Sequence, residues 1–197
     1  MSRAGVTPAR IVGTAADLAD ADGLAAVTLS AVARVLGVRP PSLYAHVAGA
    51  DELHAALTAL ALDELADRAD RALAGLAGRD ALAALAQVHR DYAREHPGRW
   101  AAAGALDRPV TDDLARAGAR HHDQALAVLR AYAVAPAEQV HAVRLVASVL
   151  RGFVQLEAGG AFGHSDPPPD GSWERALDAL DAALRTWPPV ERSRDRR

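Results

Sequence analysis

The 197-residue sequence predicts an all-α fold in two parts, a small three-helix head carrying a helix-turn-helix and a larger helical bundle. Three observations carry this. Half of the residues are apolar, few are aromatic, and alanine recurs throughout, a composition that favours helices. No segment shows strand-like alternation. Glycines and prolines punctuate the chain between apolar stretches of helical spacing.

In the head, Ile11, Ala15, Leu18 and Ala21 form an apolar stripe on a helix that ends near Asp22-Gly23. The Thr28 hydroxyl can cap the first N–H groups of a second helix, from about Leu29 to Leu36. Gly37 stops it, because a glycine just past the last apolar position takes a left-handed conformation other residues resist, and Val38 tucks the turn into a core. Pro40 and Pro41 suit the first turn of a further short helix, where no internal N–H partner is lost; it carries Ser42, Leu43, Tyr44, Ala45 and His46. Leu43 and Val47 face inward. Pro41, Ser42, Tyr44, Ala45 and His46 are thereby displayed as a small polar surface able to enter a major groove about 12 Å wide. Helix, turn and helix make a DNA-reading unit.

Beyond the head, Leu53, Leu57, Leu60, Leu62 and Leu65 mark a long connecting helix from Asp51 to about Leu76, ending near Gly78. A helix from about Asp80 to Glu95 is closed by His96-Pro97-Gly98, and a short segment follows at Arg99 to Gly104. A longer helix spans Thr111 to Tyr132, and Pro136 opens another that runs to about Ala158 and stops at Gly159-Gly160. The stretch Gly163 to Gly171, with Pro167-Pro168-Pro169, reads as a non-helical loop. Ser172 then caps a last helix, Trp173 to Trp187, ended by Pro188-Pro189. The expected division is residues 1–49 as head, 50–188 as bundle and 189–197 as a charged, disordered tail.

The run Ile11-Val12-Gly13, Ala15-Ala16, Gly23-Leu24, Val27-Thr28-Leu29, Val32-Ala33, Leu36-Gly37-Val38 and Pro41 to Val47 resembles the DNA-binding domain of TetR-family transcriptional regulators. The resemblance covers roughly residues 7 to 65. It implies a homodimeric repressor that binds a palindromic double-stranded DNA operator and leaves it when a small-molecule effector binds. Thr28, Ser30, Tyr44 and His46 resemble the family's phosphate-contacting residues, and Pro40, Pro41 and Ser42 stand where the family reads base edges. Arg39 adds a guanine or phosphate contact. One departure is clear: many members place a lysine where this chain has Ala50, leaving only backbone N–H groups at that helix start for a phosphate. In the second half, His96-Pro97-Gly98-Arg99-Trp100, Arg151-Gly152-Phe153 and Glu157 to Phe162 resemble the C-terminal domain of the WHG-type TetR subgroup. There the last two long helices pair with their copies in a second subunit, and Val140, Val143, Leu145, Val149, Leu150, Val154 and Leu156 with Leu177, Leu180 and Leu184 supply apolar surface for it.

Charge is the unexpected element, since the formal net charge is −3 and DNA selects basic partners. Residues 1–46 hold four arginines against three aspartates, and residues 47–190 carry a net −6. There is no lysine. A thin basic footprint makes affinity lean on dimerisation and hydrogen bonds.

For the effector, the family's pocket among the middle helices suggests Tyr92, His96, Trp100, His121, Gln124, Phe153 and Glu157 as walls; each also fits an ordinary core or solvated face. His121 and His122 point about 100° apart on a helix and do not chelate together, and with no cysteine or carboxylate cluster at ligand spacing neither metal nor cofactor is expected. No signal peptide or membrane-length apolar run is seen, so a cytoplasmic protein without membrane contact is expected. An enzyme on a helical bundle is disfavoured, for the chain lacks a phosphate loop, a nucleophile elbow and a Glu-x-x-His pair. The alternative reading is a small-molecule-binding helical dimer without operator binding.

Overall fold

The computed structural model describes residues 6–105, 110–164 and 166–188, and among these every regular element is helical. The expected disordered tail lies outside the described residues. Packing divides the chain into two compact units, residues 1–67 with 91–121 and residues 68–90 with 122–197. The division between these units lies within the connecting helix, which begins at Ala50 and packs with the head as far as residue 67.

In the first unit, Thr7 caps α1 (Pro8–Asp22) by accepting the Arg10 N–H, and Gly23, at φ 84°, ends it. Thr28 caps α2 (Leu29–Leu36). Gly37, at φ 68° and ψ 30°, gives its N–H to the Arg34 carbonyl while Val38 N–H reaches back to Ala33, the paired bonds of a left-handed helix end. The next segment differs from the expected helix. Pro40–Ser42 is a 3₁₀ turn, extended by three-residue bonds from Leu43 N–H to the Pro40 carbonyl and from His46 N–H to that of Leu43. The prolines themselves lose no bond in a first turn; it is the residues after them, with Leu43 and Val47 drawn into the core, that close with three-residue bonds instead of a four-residue ladder.

The head's core joins Ile11, Ala15, Ala16 and Ala19 of α1 to Val27, Val32, Ala33, Leu43 and Val47, to Leu53 and Leu57 of α3 (Ala50–Leu73), and to Ala102 of α5 (Pro97–Ala103). α5 is therefore part of the head. Gly98 permits this, since a Cβ there would lie 2.0 Å from the Ala19 carbonyl carbon and oxygen and 2.5 Å from the Asp20 nitrogen. Asp20 then caps α5 from a different helix, its Oδ1 accepting the Arg99 N–H at 2.9 Å, while the α5 N-cap residue His96 makes no side-chain cap of its own. Thr58 of α3 closes the contact by donating its hydroxyl to the Ala102 carbonyl at 3.2 Å. Along α3, Asp63 takes both Nη atoms of Arg116 and Asp67 takes Arg120 Nη2 at 2.8 Å, both arginines coming from α6 (Asp112–Leu129). These pairs are partly exposed, so each contributes at most about 1 kcal/mol, yet together they set the register of α6 on α3.

In the second unit, α4 (Gly78–Glu95) brings in Leu82, Leu85 and Ala86, α7 (Gln139–Ala158) buries Ala142, Val146, Leu150 and Val154, and α8 (Pro169–Arg185) buries Trp173, Leu177, Leu180 and Leu184. Several boundaries shift from expectation, among them Pro136, which opens a 3₁₀ turn, Pro136–Glu138, ahead of α7. α3 stops at Leu73, with Gly75 at φ 76° just beyond, and α6 stops at Leu129 rather than Tyr132. α8 begins at Pro169 instead of Trp173, because a proline at a helix's first position loses no bond and Gly171-Ser172 are then carried within the first turn.

Arg90 of α4 is 4 % exposed and anchors this unit. Its Nε donates to Glu157 Oε2 at 2.9 Å, Nη2 donates to Asp170 Oδ1 at 2.7 Å, and its Cζ stands 5.1 Å from the Trp173 ring centroid and 5.9 Å from that of Phe153. The Glu157 hydrogen bond raises the guanidinium above its ordinary pKa against the opposing effect of burial.

Two stability outcomes follow. Gly98→Ala forces a methyl into backbone and is expected to cost about 3 kcal/mol or more in urea unfolding, whereas Gly118→Ala, where a Cβ meets nothing within 4 Å, gains roughly 0.5–1 kcal/mol; similar effects at both sites would refute the close-contact argument. Arg90→Ala strands Glu157, itself only 14 % exposed, and lowers stability by about 3–5 kcal/mol. The double variant Arg90→Met with Glu157→Leu recovers most of that loss, and a double variant as unstable as the single one would contradict the pairing.

Candidate nucleic-acid interface

The surface the head presents is set by what it buries. Leu43 and Val47 are buried on one side of the 3₁₀ turn, leaving Pro41, Ser42, Tyr44, Ala45 and His46 exposed on the other, with Arg39 exposed and Pro40 half-buried at its entrance. Tyr44, 57 % exposed, is a large amphipathic group held outside any core. Thr28 and Ser30 are exposed at the start of α2. Thr28 Oγ1 accepts the Ala31 N–H at 3.1 Å, which uses its oxygen and leaves the hydroxyl proton to donate to a phosphate. Of the eight residues expected to meet DNA, Arg39, Pro40, Pro41, Ser42, Tyr44 and His46 lie on the 3₁₀ turn and its flanks, and Thr28 and Ser30 at the start of α2.

The start of α3 is less favourable to phosphate than expected. Its first turn holds Asp51 and Glu52, and Glu52 Oε2 already accepts the Ala48 N–H. A shallow concavity of about 400 Å³ there is lined by Ala48, Gly49, Ala50, Asp51, Glu52 and Thr111. Two carboxylates at this place oppose an anion that the backbone N–H groups would otherwise attract.

The expected effector residues fall into two groups. In the first unit, Tyr92 and His96 stack with ring centroids 5.2 Å apart, Tyr92 donates its hydroxyl to Glu64 Oε2 at 2.7 Å, and His96 Nδ1 donates to Asp20 Oδ2 at 3.0 Å. Burial, followed by the Glu64 hydrogen bond, lifts the Tyr92 hydroxyl far above its ordinary pKa, so it stays a donor. Trp100 is buried in the same unit, and His121 Nε2 donates to the Leu62 carbonyl at 2.8 Å. In the second unit, Gln124 donates to Asp70, while Phe153 and Glu157 surround Arg90. Tyr92, His96, His121, Gln124 and Glu157 each engage an intramolecular partner, and Trp100 Nε1 and Gln124 Oε1 are buried polar atoms outside those hydrogen bonds.

Sequence reasoning passed over Asp17, Asp20, Glu64, Arg90 and Arg99. Arg99 donates to Asp17 at 2.8 Å and to Glu64 at 3.2 Å, and its Nε lies 3.1 Å from Asp20 Oδ2 without hydrogen-bond alignment. Arg90 carried a usable signal, because Leu82, Ala86 and Arg90 share one four-residue register, so a charge falls on an otherwise apolar stripe. Asp20 carried none, its partners lying some 76 residues away in sequence. Among the described residues no group of three or more metal-ligating side chains is assembled, and no helix is long and apolar enough to cross a membrane.

Comparison with known proteins bears on this geometry. Residues 82–180 match the family profile described as the tetracyclin repressor-like C-terminal domain. The chain is 31 % identical over 190 residues to YobS of Bacillus subtilis strain 168, an HTH-type transcriptional regulator, covering 94 % of this chain and 92 % of that one. The crystal structure of the regulatory protein SCO4313 superposes with a TM-score of 0.72 at 25 % identity, covering 88 % and 94 % of the two chains. BioQ, solved with its double-stranded DNA operator, superposes with a TM-score of 0.64 at 24 % identity, covering 90 % and 99 %. With a head folded around a helix-turn-helix and a matching C-terminal half, the chain belongs to the TetR family of DNA-binding transcriptional regulators.

Proposed function

We propose that this protein is a homodimeric repressor whose two heads hold a palindromic operator and release it when a small molecule binds the helical bundle. The display of Pro41, Ser42, Tyr44, Ala45 and His46 over a buried Leu43 and Val47 carries this reading. Thr28, Ser30, Tyr44 and His46 position the head on phosphates, Arg39 adds a phosphate contact beside them, and Pro40, Pro41 and Ser42 meet base edges. Dimerisation is supported by α7, where Val140, Leu145 and Leu156 stay exposed while Val146, Leu150 and Val154 are consumed by the unit's own core. A two-fold pair of heads then addresses half-sites about one DNA turn, or a multiple of it, apart.

Effector control is supported by the construction of the head, since α3 and α5 both enter its core. A molecule that favours a different seat for either helix moves the head with it, and loses the DNA-bound arrangement by differential affinity. Tyr92, His96, Trp100, His121, Gln124, Phe153 and Glu157 are the residues assigned to effector contact.

Fluorescence anisotropy of the full chain on a duplex selected from a randomised library, with scrambled duplex as competitor, tests the reading. Two chains per specific site are expected; a specific complex of one chain would refute the dimer. Tyr44→Ala is expected to weaken operator binding about tenfold or more, near 1.4 kcal/mol, with thermal stability unchanged because the side chain is exposed. Undiminished operator affinity in that variant would remove Tyr44 from the interface.

A further inference from the structure

We propose that Arg34 is a second phosphate-gripping arginine of the head, acting with Arg39 to supply the backbone charge that the start of α3 lacks. Most arginines of known placement are engaged within the chain. Arg79, Arg90, Arg99, Arg116, Arg120 and Arg185 form ion pairs, and Arg10 also has an intramolecular partner. In the head, Arg34 and Arg39 alone of the described arginines have side chains that engage no hydrogen bond, ion pair or ring.

Their placement is specific. Arg34 lies in the last turn of α2, four residues after Ser30 and so on the same face, and its carbonyl accepts the Gly37 N–H. Arg39 opens the 3₁₀ turn with extended backbone. In the chain, the two residues stand on either side of Gly37, the left-handed turn that separates the helix from the reading element. Val35 beside Arg34 is 58 % exposed, so this end of α2 is not covered by the rest of the described chain. The local field also favours an anion more than residue counts suggest, because Arg99 pairs with Asp17 and Asp20, two of the head's three aspartates. At the start of α3, by contrast, Ala48 and Ala50 offer no charge and Asp51 and Glu52 oppose one. Arg34, at the end of α2, is an exposed and uncommitted cation that the head offers in addition to Arg39.

The proposal rests on the DNA-binding reading, and salt dependence separates the two. Affinity of the full chain for a library-selected duplex is measured from about 50 to about 200 mM salt, where each neutralised phosphate contributes about 0.9 to the logarithmic slope. Arg34→Gln is expected to lower the slope by about 0.9, Arg34→Gln with Arg39→Gln by about 1.8, and Arg34→Lys to restore it. Arg71→Gln, at the far end of α3, leaves it unchanged. The sequence preference found by reselection stays the same in Arg34→Gln, because a phosphate contact carries no base information. A wild-type slope in Arg34→Gln, failure of Arg34→Lys to restore it, or an altered preference would overturn the assignment while leaving DNA binding intact. Absence of any selected duplex for the wild-type chain would overturn both.

Discussion

A missing Cβ at Gly98 governs the first unit. The backbone of α5 approaches the backbone of α1 at Ala19 and Asp20 within a distance that no side chain tolerates, and everything polar nearby is arranged around that approach. Because α5 begins where its own N-cap residue offers no side-chain acceptor, its orphan N–H needs a partner from elsewhere, and Asp20 provides one. The same carboxylate takes the His96 ring N–H, while Arg99 spans Asp17 and Glu64. A helix that lies late in the sequence is thereby made part of the DNA-reading head.

That arrangement has an electrostatic consequence. Carboxylates on α1 and α3 are answered by arginines from α5 and α6, so the interior seams of the first unit are close to neutral in pairs. Such pairs add little stability where water reaches them, but they decide register, and they withdraw acidic charge from the side of the molecule that must meet DNA. The thin net charge of the head understates its attraction for a phosphate backbone. What counts is which charges remain uncommitted once the fold has formed, and Arg34 and Arg39 are among them.

The second unit solves a different problem. Arg90 is a charge placed where the helix pattern asks for an apolar side chain, and it is tolerated because Glu157, Asp170 and two aromatic rings receive it together. It joins the end of α7 to the start of α8.

Local chemistry sufficed for much of this. Thr28 and Gly37 delimit α2 by capping and by left-handed backbone, and Asp22-Gly23 and Glu95-His96-Pro97 end α1 and α4, because each signal acts within one turn of chain. The exposed set from Pro41 to His46 was legible for the same reason, as the alternation around Leu43 and Val47 is local. The form of the reading element was not, since whether two prolines open an α-helix or a 3₁₀ turn depends on how the following residues are held by the core. Nor were the Asp20–Arg99 and Arg90–Glu157 pairs, whose members stand 79 and 67 residues apart. The sequence by itself determined where helices start, stop and turn an apolar face; only the tertiary structure decided which charges meet and that α5 belongs to the head, because long-range pairing leaves no periodic trace in the chain.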